Sequence, residues 1–175
     1  MKWQQMMAEV YRNMFSELEK VLDRLTTEDL HKRPSPGANP ISWLCWHTIR
    51  SCDRLLGDAV LGEQLWIKDG WYKKFNRRPD FNETGKGFTD AQVDALKIPD
   101  IKTLLEYEKA VKEPLLRYIE NLTEKELDRE VPASWEPGTT SRVSSRLSGT
   151  ILNLQHLGAA EYVRGIIKGH GWYGR

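Results

Sequence analysis

Residues 39–56, NPISWLCWHTIRSCDRLL, place one imidazole, His47, inside a run of tryptophan, leucine and isoleucine. Asn39 followed by Pro40 is a helix start: a capping side chain, then a proline whose missing N–H is no loss at the first helical position. The helix is expected to run to about Gly62, with Leu44, His47, Ser51 and Leu55 on one stripe. A histidine on an apolar face is most often a core residue with hydrogen-bonded nitrogens. The alternative is a ligand, and that requires a partner from elsewhere in the chain.

Upstream, Met7, Met14 and Val21 recur at seven-residue spacing with Trp3, Val10, Leu18 and Leu25 between them, which predicts a helix over 3–25. Thr26 or Thr27 begins a short turn that ends before Pro34, and PSPGANP (34–40) is a breaker-rich connection. Downstream, Gly70, Pro79, Gly85 and Gly87 interrupt residues 63–100, where Thr89-Asp90-Ala91-Gln92 is a capping box for a short helix ending near Leu96. A third long helix over 101–121 carries Leu104, Glu108, Val111, Leu115, Ile119 and Leu122 on one face, with Pro114 inside it as a kink. Thr123 to Glu126 is a further capping box. Residues 131–146 read as loop, and a last long helix covers about 146–168, ending at Gly169. Period-two alternation is absent from every segment long enough to judge. The expectation is an all-α bundle of four long helices in one domain, residues 1–175, with a long crossover between helices 2 and 3.

Lys and Arg total 26 against 25 Asp and Glu, a net charge of +1. Neither nucleic acid nor an acidic membrane surface is an expected partner. No apolar run approaches the roughly 20 residues that cross a bilayer. The N-terminus lacks the apolar core of a secretory signal. Cys45 and Cys52 lie two helical turns apart, roughly 10 Å, too far to bridge. The expected location is the cytoplasm, with both thiols reduced. Neither cysteine is an expected nucleophile, because helix burial opposes a lowered thiol pKa.

A faint internal echo links the halves. Leu25–Lys32 (LTTEDLHK) resembles Leu122–Arg129 (LTEKELDR), and each precedes a loop leading to a helix with one histidine in an apolar setting: His47, then His156. Bundle interiors accept metals from facing helices, and imidazole suits zinc, nickel and iron. A partner for His156 on its own helix belongs three or four residues away. Those positions hold Leu152, Asn153, Ala159 and Ala160, of which only Asn153 offers an oxygen. Trp43 and Arg50 share the His47 face as a candidate cleft wall and anion partner, and each alone is more simply core packing or an ion pair. Asp53, six residues on, points elsewhere and pairs with a lysine or arginine. Glu161 and Arg164 read as an intrahelical pair. His31 and His170 read as solvated. TGKG (84–87) lacks phosphate-loop spacing, and neither GxSxG nor HExxH occurs.

NPISWLCWHTIRSCDRLL resembles the second-helix signature of the DinB-like (DinB/YfiT) superfamily of four-helix bundles. TGKGFTDAQVDAL resembles the crossover of one branch, and LQHLGAAEYVRGIIKGHGWYG its last helix. The resemblance spans about residues 3–174. It implies an up-down-down-up bundle, often a homodimer, with three histidines holding a divalent metal: one on helix 2 and two, four apart, on helix 4. By position His47 and His156 match two of them, while Leu152 stands at the third and Ala159 where a glutamine often follows. Relatives include transferases and isomerases using a low-molecular-weight thiol cosubstrate, and metal-dependent hydrolases.

Three readings follow. In the first, His47 and His156, completed by Asn153, a water or a crossover side chain, hold a divalent metal (Zn, Ni or Mn) that activates water or a thiol toward a small molecule. Tryptophans then wall the cleft. In the second, the bundle binds a small ligand without metal or catalysis. In the third, the helices serve only to pack against a second copy.

Overall fold

The computed structural model describes residues 2–136 and 138–172, apart from the side chain of His170. The reading of His170 as solvated therefore lies outside the described residues. The chain is mostly helical. Its elements are α1 (Trp3–Leu22), α2 (Thr27–His31), α3 (Ile41–Leu56), α4 (Leu65–Lys68), α5 (Trp71–Lys74), α6 (Asp90–Ala95), α7 (Ile101–Glu120), α8 (Glu124–Leu127), strands β1 (Glu130–Pro132) and β2 (Thr140–Arg142), α9 (Val143–Ile151) and α10 (Leu154–Lys168).

The long helices pack in a ring. Helix α1 lies against α7 and α10, and α3 lies against the same two. Tyr11, Met14, Phe15, Leu18, Val21 and Leu22 of α1 face Leu104, Val111, Leu115 and Ile119 of α7 across a continuous core. Helix α3 is buried on nearly every side from Ile41 to Arg50. It is the central element of the bundle.

Capping chemistry sets the short helices as expected. Thr26 and Thr89 each accept from the backbone N–H three residues on, and Asp29 and Gln92 return the bond. Thr123 accepts from Glu126. The start of α3 differs from expectation, while its end at Gly62 agrees. Asn39 does not cap α3; Pro40 occupies the cap position with no side-chain bond. At its other end α3 continues as a π-helical turn, Gly57–Leu61, and stops at Gly62 with φ +75°. Gly57 is required there, because a Cβ would lie 2.8 Å from Gln64.

Two expectations fail at the C-terminal side. Residues 131–146 are not all loop: β1 pairs antiparallel with β2, Val131 opposite Ser141. Three residues are too few to display a strand period. Nor is the last helix continuous. It breaks at Leu152-Asn153, where His156 N–H bonds the Asn153 carbonyl instead of that of Leu152. Side chains compete for the backbone here. Thr150 Oγ1 donates to the Arg146 carbonyl at 2.8 Å and Asn153 Nδ2 to the Thr150 carbonyl at 2.7 Å. Such bonds bend helices or end them.

The crossover is fastened at several points. Arg33 reaches Asp90 and Asp94 at 2.9 Å each. His31, expected in solvent, instead accepts from Ile98 N–H at 2.9 Å through Nε2. Arg164 does not pair with Glu161. It donates to the carbonyls of Lys20 and Val21, satisfying the open end of α1, and lies over Trp172.

Glu108, the polar member of the α7 stripe, is buried at 2% exposure. Lys112 Nζ lies 3.0 Å away but outside hydrogen-bond geometry. Burial raises its pKa from 4.5 to about 7. The unfolded chain therefore releases this proton at lower pH than the folded one, and stability falls as pH rises from 4.5 to 7. Glu108→Gln is expected to stabilise the fold above pH 7, by on the order of 3 kcal/mol at most. Below pH 4.5 the gain should vanish, as read by urea unfolding at pH 4 and pH 8.

Candidate functional site

Helix α3 brings Trp43, His47, Ser51 and Arg54 to one face by three- and four-residue steps. The start of α10 brings His156 opposite. The rings of His47 and His156 lie edge to face with centroids 4.8 Å apart. Trp43 touches both: it stacks on His47 at 4.7 Å, nearly parallel, and meets His156 edge-on at 5.7 Å. Two imidazoles from opposite halves of the chain are thus direct neighbours.

The TGKG segment, which carries no phosphate-loop pattern, orients the first of them. His47 Nδ1–H donates to the Thr84 carbonyl at 2.5 Å, so the lone pair sits on Nε2. Gly85 makes this approach possible. Its φ is +90°, and a Cβ would lie 2.6 Å from Trp43 Nε1. No larger residue fits without moving the indole that supports both rings.

Burial keeps both rings neutral. It holds His47 down at about 4, beyond what the Thr84 bond restores, with further lowering from His156, Arg54 and Lys86. His156 is lowered for the same reason, burial. Neutral imidazole is the form that binds a metal or accepts a proton.

The pair lies between two clefts. The larger, about 450 Å³, is lined by His47, His156, Ser51, Arg54, Trp135 and Asn153 among others. The smaller, about 390 Å³, lies on the Trp43 and Asn39 side, and Lys86 borders both. Asn153 is 5% exposed, and its amide N–H bonds the Thr150 carbonyl, leaving Oδ1 as the oxygen available to a ligand. Leu152 lines the same cleft with 60% of its surface exposed. Among the described residues no group of three His, Cys, Asp or Glu side chains could hold a metal.

Other expected site residues lie elsewhere. Arg50 does not line the clefts as an anion partner. It is fully buried, over the Trp66 ring at 4.5 Å, and bonds Asp53, Tyr107, Gln64 and the carbonyls of Phe81 and Glu83. Asp53 is its ion partner and also accepts from the N–H groups of Leu65 and Trp66, both at 2.8 Å. Of the tryptophans, Trp43 and Trp135 border the clefts, whereas Trp46, Trp66 and Trp71 belong to the core. Cys45 and Cys52 are buried free thiols, and burial pushes Cys45 up to about 12, so neither is a ready nucleophile. Thr84, Gly85, Arg54 and Trp135 are site residues that the sequence did not single out. The TGKG stretch contains the first two, but its sequence does not state their role.

A model of the DinB superfamily matches residues 11–162, and the chain belongs to that superfamily. It is similar to a solved structure described as the conserved protein of a locus from Enterococcus faecalis. The two are 25% identical, with a TM-score of 0.79 over 97% of this chain and 99% of that one. Among curated proteins none matches the chain significantly.

In metal-free protein the His47 ring is expected to titrate near pH 4, not near its ordinary 6.5. Protonation favours the unfolded chain, so the group's contribution to stability is lost as pH falls from 6.5 toward 4. Histidine Cε1–H resonances followed from pH 3.5 to 8 read the midpoint; a value near 6.5 would mean a solvated ring. Gly85→Ala should destabilise the fold by about 1–3 kcal/mol through the left-handed backbone and the Trp43 clash, measured by chemical unfolding.

Proposed function

We propose that the chain is a small-molecule enzyme of the DinB superfamily whose centre is a two-histidine divalent-metal site. The observation that supports this most is the 4.8 Å approach of His47 and His156, with the His47 tautomer set by Thr84. A hydrogen bond behind the ring, freeing Nε2, is what an imidazole ligand requires. His47, His156 and the Asn153 Oδ1 would hold zinc, nickel or manganese, with remaining positions open to solvent or substrate. The metal, when bound, supplies a lowered pKa for water or a substrate thiol. The chain supplies the rest. Thr84 and Trp43 fix the His47 ring plane, and Trp135 lines the approach from the larger cleft. The reaction class is thiol transfer or hydrolysis, with a low-molecular-weight thiol as cosubstrate in the first case.

The same reading takes residues 1–175 as one domain, an up-down-down-up bundle of α1, α3, α7 and the α9–α10 pair, working as a cytoplasmic homodimer. The ring of helix contacts supports the bundle. Exposed Leu154, Tyr162 and Ile166 on α10 support the dimer. No described helix is long and apolar enough to cross a membrane.

A second reading, a metal-free ligand-binding bundle, is favoured by one observation. Leu152 faces the cleft where a third nitrogen is needed, and Arg54 and Lys86 add positive charge near His47.

Metal analysis after supplementation with zinc, nickel and manganese separates the two. The expected result is up to one metal per chain, lost in His47→Ala with helical circular dichroism retained. Leu152→His, which adds a third imidazole to the same cleft, should tighten metal binding by about tenfold or more. Wild-type protein that retains none of the three metals overturns the enzyme reading.

A further inference from the structure

The larger cleft is electropositive in a way that the histidine pair does not explain. Arg54, Arg146 and Lys86 line it, and no aspartate or glutamate does among the described residues. Two guanidiniums share one indole: Arg146 lies over Trp135 at 4.2 Å and Arg54 at 5.2 Å. Their charges are not equivalent. Arg146 is neutralised by Asp58 at 2.7 Å. Arg54 has no carboxylate within ion-pair distance and no side-chain hydrogen bond among the described residues. Burial, with Arg146 and then Arg50 adding like charge, holds it down at about 10, so it is still a full cation at neutral pH. Its five guanidinium donors, with no protein acceptor among the described residues, open into the cleft, where a ligand's oxygens can reach them. Ser141 and Ser145 line the same wall at the start of α9, whose cap residue Arg142 supplies no side-chain acceptor. The positive end of that helix adds to the field.

We propose that this cleft takes a small molecule ending in an oxyanion, a carboxylate or a phosphate, and that Arg54 is the residue that holds it. This rests on the reading of the cleft as a substrate site and specifies its ligand. Arg54 lies seven residues from His47, two turns along the same face of α3, a rise of roughly 10 Å. An anion seated on Arg54 therefore directs the other end of the ligand, over Ser51, to the imidazole pair. Arg54 is a positioning residue in this scheme, since it grips the end remote from the reacting atoms.

The test uses full-length protein stripped of metal, titrated calorimetrically with glutarate, inorganic phosphate and the uncharged diamide of glutaric acid. At least one anion should bind, and the diamide about tenfold or more weaker. The stronger of the two anions identifies the preferred group. Arg54→Gln should weaken that anion about tenfold or more, Arg54→Lys much less, and the surface change Lys125→Gln not at all. If Arg54→Gln does not fold, the wild-type arginine Nε–H spectrum decides: the Arg54 resonance must shift on saturation. No anion binding, equal binding of the diamide, an unmoved Arg54 resonance, or wild-type affinity in folded Arg54→Gln each overturns the proposal. Because no metal is present, failure here leaves metal uptake at His47 untouched, and failure of metal uptake leaves this binding intact.

Discussion

A buried ion pair governs this structure. Arg50 and Asp53, one turn apart on α3 and both fully buried, meet at 3.1 Å. Arg50 reaches the carbonyls of Phe81 and Glu83, and Asp53 accepts from the N–H groups at the start of α4. The start and the middle of the long crossover are therefore tied to a single helical turn. Burial holds the Tyr107 hydroxyl well above its ordinary pKa, so it remains a donor to Asp53 at 2.6 Å. Removing one member of such a pair strands the other charge, at about 3–5 kcal/mol. The geometric effect matters more here. Glu83 immediately precedes Thr84, so the bond from Arg50 to the Glu83 carbonyl sets the position from which Thr84 meets His47.

The helical architecture was legible because it rests on local chemistry: threonine caps, proline and glycine stops, and apolar residues at helical spacing. The neighbouring of His47 and His156 was legible through a weak echo between the halves and a family resemblance. The break at Leu152-Asn153 was not. It depends on Thr150 and Asn153 turning their side chains onto the backbone, and the same residues are compatible with unbroken helix. Arg50 was misread for a related reason. Helical spacing places it near the His47 face, but its long side chain turns away to the crossover, and that choice is made by Asp53, Gln64 and Tyr107 together. Arg54, one turn further along, is the arginine that faces the cleft. Spacing alone cannot tell the two apart.

The cleft has a divided electrostatic character. Its centre is a pair of neutral rings suited to donate lone pairs, while its rim carries Arg54, Lys86 and Arg146, of which Arg146 is paired with Asp58. A metal bound by two imidazoles keeps its full positive charge, because neither ligand is anionic. In the proposed metal site, that charge and the rim would favour anionic species in the remaining positions. Leu152 gives the same centre an apolar, solvent-exposed side chain in place of a third nitrogen.

Trp43 lies flat against one imidazole and edge-on to the other, with Gly85 pressed to its ring nitrogen. An indole in that position is an optical sensor wired to the centre. Any event that places charge on either ring alters the excited state of this chromophore, whereas Trp66 and Trp71 are shielded within the core and Trp135 lies farther along the cleft against Arg54 and Arg146. Occupancy of the centre can therefore be followed by light emission from the unlabelled protein.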